Sequence, residues 1–456
     1  MKDEYQLVIV GGGPAARGAV REAKRAGLTA AIVEKDAVGG TCLHRGCISA
    51  KTYLEAAALA DRMEEAALGR PAVDPAALIS RTVGIRARLQ HSLEAYYNSA
   101  GVDILRGEGL ILDGHHVRVG GKILRAGHIL AATGSRPLRL SIPGSALPGV
   151  LTSDELFEMT TVPARLVVIG GGAVGVEMAE AFRAFGSRVT LLEAAPYLLP
   201  GFDRDCGRQI GRLLGWRGTE IRTGIRMREI RPVSGALRCL FEENGREAYA
   251  EGDVILMAVG RMPDVSCLSE TVRAVIAPGG RILADEAGRT LLPGISAAGD
   301  CCGASLAHLA EAQGAAAAAA IAADSTDGRA IAGSGGTGLD AVPRCVYTRP
   351  EVMSLGLTSA EAADRGIAVD VRKSPVDTNG AAVIAGLDSG FIKLIADKAT
   401  GRLLGAHLVS GRAVDMAPLL EMAVRQGLRA EDLDTVIYPH PSFCESIGEA
   451  AEKYRS

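Results

Sequence analysis

Short unbroken apolar runs punctuated by glycine clusters organise this chain. Leu7-Val8-Ile9-Val10 is followed by Gly11-Gly12-Gly13-Pro14-Ala15-Ala16, an Ala-rich stretch to Ala26, and a second run, Ala30-Ala31-Ile32-Val33. Four apolar residues between turn signals read as a fully buried strand, and the longer stretch between the runs reads as a helix. The order returns later, with Leu166-Val167-Val168-Ile169, the turn Gly170-Gly171-Gly172-Ala173-Val174-Gly175, a helix to Phe185, and Val189-Thr190-Leu191-Leu192. Strand, helix, strand, twice over, predicts an α/β protein with parallel sheets covered by helices. Further helices are expected from about Ile48 to Leu68 and from about Ile79 to Ala100, with strand-like material leading to Ala131. The small-residue run Ala315 to Ala323 reads as a buried helix, too short for a bilayer. Gly333-Ser334-Gly335-Gly336-Thr337-Gly338 reads as a flexible linker before a C-terminal domain that starts near residue 339.

The two glycine turns carry the first chemistry. In each, an acid, Glu34 or Glu193, ends the second strand 23 positions after the first glycine. A single glycine pattern is weak evidence, but two copies in strand-turn-helix-strand context with matched acids point to dinucleotide binding. Gly11 and Gly170 make the tight turn, Gly13 and Gly172 let the backbone approach a pyrophosphate, and Ala16 and Gly175 allow close helix-strand packing. The acids are placed to accept hydrogen bonds from an adenosine ribose, and a carboxylate there disfavours a 2′-phosphate, so the nicotinamide nucleotide is expected to be NAD.

Composition narrows the function classes. At 456 residues the chain exceeds a single core, and two to four domains are expected. A net charge of −3 gives no argument for nucleic acid or an acidic membrane surface. No segment approaches the ~20 apolar residues of a membrane span, and Met1 to Tyr5 lacks an apolar signal core, so a cytoplasmic location is expected. In that reducing compartment a deliberate disulfide is more often catalytic than structural.

This bears on Cys42 and Cys47, in Gly39-Gly40-Thr41-Cys42-Leu43-His44-Arg45-Gly46-Cys47. The five-residue spacing lets the sulfurs meet, Gly46 allows a tight path, and Cys47 opens a helix whose N-terminus favours a thiolate. A redox-active disulfide fits this placement. A metal site or two buried thiols are the other readings, though no second pair completes a zinc site and no metal is expected. Lys51 lies one helical turn beyond Cys47 and can share its face.

Taken together, the chain resembles the flavin-dependent pyridine nucleotide-disulfide oxidoreductases, nearest to the branch that oxidises dihydrolipoamide. The resemblance runs through nearly the whole chain. Besides the cysteine loop and both glycine turns it rests on Ala132-Thr133-Gly134-Ser135, Gly299-Asp300, Leu306-Ala307-His308-Leu309-Ala310-Glu311, Tyr347-Thr348-Arg349-Pro350-Glu351-Val352 and the ending His440-Pro441-Ser442-Phe443-Cys444-Glu445.

It implies two Rossmann-like nucleotide-binding domains and a C-terminal α+β dimerisation domain. Residues 1–145 would begin the FAD domain, 146–265 form the NAD domain, 266–335 return to complete the FAD site, and 339–456 make the interface domain. FAD would be held by Gly11, Gly13, Ala16, Glu34, Lys35, Thr41, Lys51, Gly109, Thr133, Gly134, Ser135, Asp300 and the Leu306, Ala307, His308 segment. NAD would be held by Gly170, Gly172, Gly175, Glu193, Ile225 and Gly260.

By position, Cys42 would exchange with substrate and Cys47 would face the flavin. Lys51 would reach the flavin and pair with Glu177. His440 would act as the base, oriented by Glu445. Family members are homodimers whose active site is completed across the interface, so His440 would serve the other chain's Cys42. A lipoyl-bearing protein is the expected substrate.

The departures from the family pattern are His44, Arg45, Ser49 and Ala50 around the cysteines. Arg45 either adds charge beside the thiols and lowers a cysteine pKa, or points to solvent. Cys444 and the neighbours Cys301 and Cys302 read as structural thiols. In Cys444 the reason is that adjacent side chains of an extended segment diverge. The alternatives are a reductase of another disulfide, such as a glutathione-like one, a mercuric ion reductase, and a non-catalytic flavin-binding subunit. Glu193 weighs against the first, the lack of a C-terminal cysteine pair against the second, and the intact Cys42, Cys47, Lys51, His440 and Glu445 against the third.

Overall fold

In a computed structural model of the chain, residues 2–303, 306–325 and 341–455 are described. The expected linker Gly333 to Gly338 and the start of the C-terminal domain near 339 lie outside them. The chain divides into two compact units, one comprising Met1–Ala50, Ala76–Leu138 and Gly260–Thr337, the other Lys51–Pro75, Arg139–Val259 and Gly338–Ser456.

The first unit is built on a seven-stranded sheet. Strands Asp103–Arg106, Ala30–Glu34, Glu4–Val10 and Lys122–Ala131 run parallel in that order, and Ile295–Ala297 adds in parallel to Lys122–Ala131. His116–Val119 and Gly109–Ile111 continue it antiparallel. Strand Ala30–Glu34 is buried along its whole length, because Ala30 and Ile32 pack with helix Pro14–Ala26 on one face and Ala31 and Val33 pack with Ile111 and Val117 of the antiparallel strands on the other. Helix Pro14–Ala26 lies against helix Ala307–Ser325 backbone to backbone. A Cβ at Gly18 would sit 2.0 Å from the Glu311 carbonyl oxygen, and one at Gly314 would sit 2.0 Å from that of Ala15. This close approach explains the Ala-rich composition of both helices; within the run Ala315 to Ala323, expected to be buried, Ala317, Ala318, Ile321 and Ala322 are buried and the other five residues are half-buried, because only one face of the helix meets the core.

Two sheets lie in the second unit besides a hairpin layer. Val150–Thr152, Val254–Met257, Arg165–Ile169, Arg188–Glu193 and Glu220–Thr223 form a five-stranded parallel sheet. Arg226–Val233, Ala236–Glu243 and Arg246–Gly252 form the antiparallel layer. The C-terminal part carries a second five-stranded sheet, antiparallel throughout, in the order Arg344–Val346, Glu351–Gly356, Leu403–Ser410, Phe391–Asp397, Val369–Pro375. Helices Ala413–Arg425 and Glu445–Glu452 contribute Met416, Leu420, Ile447 and Ala451 to its core. Among the described residues no helix is long and apolar enough to cross a membrane.

Candidate active site

The two glycine turns have the same construction. Gly11 and Gly170 adopt φ of +107° and +108°, which side chains rarely tolerate, and a Cβ at either would strike the carbonyl oxygen of Ala132 or Ala258 at 2.3 or 2.4 Å. Behind them, Glu34 Oε2 accepts the Gly12 N–H at 2.7 Å and Oε1 the Asp36 N–H at 2.8 Å. Glu193 repeats this with the N–H groups of Gly171 and Ala195, at 2.5 and 2.6 Å. Each carboxylate oxygen keeps a second lone pair, so both acids can still receive a hydroxyl. At Gly13 and Gly172, which precede helices Pro14–Ala26 and Ala173–Ala184, a Cβ would meet nothing within 4 Å. Open backbone at the N-terminus of a helix suits an anion such as a pyrophosphate. The residues present therefore fit a dinucleotide at each turn.

The cysteine loop closes tightly. Cys42 lies in the short helix Gly40–His44, and Cys47 is the first residue of helix Cys47–Glu65. A Cβ at Gly46 would approach the Thr41 carbonyl oxygen to 2.9 Å and Cys42 Cα to 3.4 Å, so only glycine allows the chain to double back on Cys42. Two of the unusual loop residues build this conformation. His44 donates through Nε2 to the Val38 carbonyl at 2.9 Å, and its own carbonyl accepts Arg86 Nη1 at 2.6 Å and Ser49 Oγ at 3.3 Å. Arg45 turns to Asp36 Oδ2 at 3.3 Å, both side chains about half exposed, so its charge is matched by a carboxylate.

Thr41 is also tied down. Arg261 Nη2 lies 3.4 Å from Thr41 Oγ1 and 2.7 Å from the Ser135 carbonyl, while Nε donates to Ser135 Oγ at 2.8 Å. Ser135 Oγ in turn donates to Asp300 Oδ2 at 2.6 Å, and burial holds the Asp300 carboxyl above its ordinary pKa. Thr133 Oγ1 donates to the Asp264 carbonyl at 2.6 Å and Gly134 accepts the Asp264 N–H at 2.9 Å, so this turn is fixed from the side of residue 264. Lys35 pairs with the same Asp264 at 3.4 Å. Sequence reasoning passed over Arg261, although it directly follows Gly260 of the expected NAD set.

Other expected residues are more dispersed. Gly109 is buried in strand Gly109–Ile111 against Val10 and Val33. Leu306 precedes helix Ala307–Ser325, and His308 in its first turn is exposed. Ile225 is buried in the core with Ile169, Leu192 and Met257, and its N–H donates to the Glu193 carbonyl.

In the second unit Lys51 Nζ lies 2.9 Å from both oxygens of Glu177, whose side chain is 4% exposed. His440 Nδ1 is 2.9 Å from Glu445 Oε1, and Glu445 Oε2 accepts the Ser442 N–H at 2.7 Å. That N–H, and next His440, hold the Glu445 carboxyl below its ordinary range. Asn379, buried and absent from the sequence expectations, donates to the Ser442 carbonyl at 3.0 Å and fixes the loop. The imidazole itself is 79% exposed. Cys444 caps helix Glu445–Glu452 in helical geometry, which corrects the extended segment assumed for it. Its thiol packs against the C-terminal core, and burial raises its pKa. Cys301 and Cys302 face each other at a sulfur separation of 4.0 Å, with Cys301 fully buried.

Comparison with known proteins agrees with this arrangement. Residues 5–316 match the pyridine nucleotide-disulphide oxidoreductase model and residues 342–451 its dimerisation domain, which supports a homodimer. Dihydrolipoyl dehydrogenases of Chlorobaculum tepidum and Geobacillus stearothermophilus are each 32% identical, covering 98% of this chain and 96% of theirs. The HOCl-induced flavoprotein disulfide reductase RclA of Escherichia coli superposes with a TM-score of 0.86 at 27% identity, covering 98% of this chain and 99% of that one. Matches that span both glycine turns, the cysteine loop and the C-terminal sheet make this chain a member of the pyridine nucleotide-disulfide oxidoreductases, a flavin disulfide oxidoreductase of the lipoamide dehydrogenase family.

Proposed function

We propose that this chain oxidises protein-bound dihydrolipoyl groups to lipoyl groups in the cytoplasm, with NAD as the final acceptor. Residues 1–145 and 266–335 would hold FAD through the first glycine turn, Glu34, the Thr133 to Ser135 turn and Asp300. Residues 146–265 would hold NAD through the second turn and Glu193, and 339–456 would form the dimer interface. FAD, when bound, would take two electrons from the cysteine dithiol and deliver them to NAD as hydride.

The steps that belong to this chain's residues are thiol chemistry. One substrate thiol, deprotonated by His440 of the partner subunit, attacks Cys42 Sγ of the Cys42–Cys47 disulfide and Cys47 leaves as a thiolate. The second substrate thiol then attacks the mixed disulfide, releasing the lipoyl disulfide and the Cys42 thiol. Glu445 keeps the proton of the neutral imidazole on Nδ1, so Nε2 carries the lone pair that accepts the substrate proton.

The observation that carries this reading is the His440–Glu445 pair. An oriented imidazole with a lowered-pKa carboxylate behind it, yet 79% exposed within one chain, supports the reading that His440 serves a second subunit. The NAD preference is supported by Glu193, whose carboxylate occupies the position a 2′-phosphate would approach. Similarity to RclA favours a second reading, reduction of another disulfide at the expense of a reduced nicotinamide nucleotide. Steady-state assays separate the two. Turnover of dihydrolipoamide with NAD, at least tenfold faster than with NADP, is expected. Absence of that turnover together with reduction of a different disulfide would replace the substrate assignment.

A further inference from the structure

Helix Ala173–Ala184 carries two buried carboxylates one turn apart, Glu177 and Glu180. Both reach the segment that joins strands Arg344–Val346 and Glu351–Gly356 in the C-terminal sheet. Glu177 Oε1 accepts the Tyr347 N–H at 3.0 Å, and Glu180 Oε1 accepts the Arg349 N–H at 2.9 Å. The helical interval of three thus meets an interval of two in the facing segment, and the backbone on either side of Thr348 is pinned. Arg217 Nη1 adds a contact to Glu180 Oε1 at 3.4 Å and also donates to the Arg349 carbonyl, closing the anchor.

This double anchorage delivers the ring of Tyr347 to Lys51. The ammonium lies 4.2 Å from the ring centroid while its hydrogen bonds run to both oxygens of Glu177. We propose that Tyr347 is a positioning residue, whose ring, pinned through Glu177 and Glu180, fixes the Lys51 ammonium at the flavin. By this route Tyr347 tunes the flavin's reduction potential.

The inference rests on the reading that Lys51 faces the flavin. A lysine head is a compact, strongly hydrated charge on a flexible stem, and it stabilises a fixed negative charge best when it is held still. A cation over an aromatic face is attracted by the ring quadrupole, and more strongly where water is excluded. Tyr347 is 38% exposed, so removing its ring leaves the core of the domain intact.

The test is the flavin midpoint potential of the holoenzyme, measured by anaerobic reductive titration against a reference dye. Tyr347→Phe keeps the ring and is expected to keep the wild-type potential. Tyr347→Leu is expected to disfavour the reduced flavin about three- to tenfold, a fall of up to ~30 mV for a two-electron couple. Lys51→Met should lower the potential further, and adding Tyr347→Leu to Lys51→Met should change nothing more. A Tyr347→Leu enzyme at wild-type potential, with Lys51→Met shifted, overturns the proposal and leaves the flavin-side role of Lys51 standing. Should Lys51→Met also leave the potential unchanged, that underlying reading fails and the proposal with it. A Tyr347→Phe enzyme that behaves like Tyr347→Leu removes the role assigned to the ring.

Discussion

Glu180 should make the protein less stable as the pH rises through neutrality. Its side chain is buried, and Oε1 accepts the Arg349 N–H beside the Arg217 guanidinium. Among the described residues Oε2 has no hydrogen-bond partner. Burial raises its pKa from 4.5 to about 7, against the opposing pull of Arg217, the Arg349 N–H and Arg183, with Asp61 adding to the rise. The folded-state pKa lies above the unfolded one, so the stabilising protonated form is fully favoured below about 4.5 and lost as pH rises through about 7. A displacement of this size corresponds to ~3 kcal/mol between the two limits. Equilibrium urea unfolding of the flavin-loaded protein at intervals from pH 5 to pH 8 gives the measure, with Glu180→Gln as the reference that cannot ionise. The wild type should lose ~2–3 kcal/mol relative to the variant across that range. A wild-type-minus-variant difference that stays flat with pH would refute the reasoning, because it would mean that Glu180 ionises in the folded protein as easily as in the unfolded chain.

Two further outcomes are expected. Tyr53, on the cysteine helix, packs its ring against Phe157, Phe185 and Phe182 at centroid distances of 5.3, 5.9 and 6.3 Å, so Tyr53→Ala should cost ~3–5 kcal/mol in urea unfolding while Tyr53→Phe costs far less. Arg45 is matched by Asp36 at the surface, so Arg45→Ala should change stability by less than ~1 kcal/mol and leave the thiolate absorbance titration of the reduced enzyme unmoved; a clear shift there would return Arg45 to the thiols.

What could be read from the sequence was whatever depends on local spacing. The glycine turns announce themselves because a positive φ and a close backbone approach demand glycine at fixed offsets from the following helix, and the acids because a strand end lies a set distance on. The same holds for His440 and Glu445, five residues apart and joined within one loop. Contacts made by folding distant segments together were not legible. Arg261 reaches Thr41 from 220 residues away, and Tyr347 reaches Glu177 from 170. Nothing in the local pattern around an arginine or a tyrosine marks such a partner. The side chains of His44 and Ser49 are used within the loop, on the Val38 and His44 carbonyls, and Arg86 of helix Pro75–Ser99 reaches that same His44 carbonyl from outside it. Cys444 has helical and not extended backbone, and a residue flanked by Phe443 and Glu445 gives no sign in the sequence that a helix begins there.

The contact of Gly18 with Glu311, and of Gly314 with Ala15, also sets an order of events on the ribosome. Helix Pro14–Ala26 emerges early, yet the helix that covers it is encoded about 300 residues later. At ~5–20 residues per second, the first helix waits ~15–60 s for its partner while the parallel sheet of residues 150–257 is made in between. The nascent chain therefore carries the alanine-lined face of helix Pro14–Ala26 without its native partner through most of its synthesis.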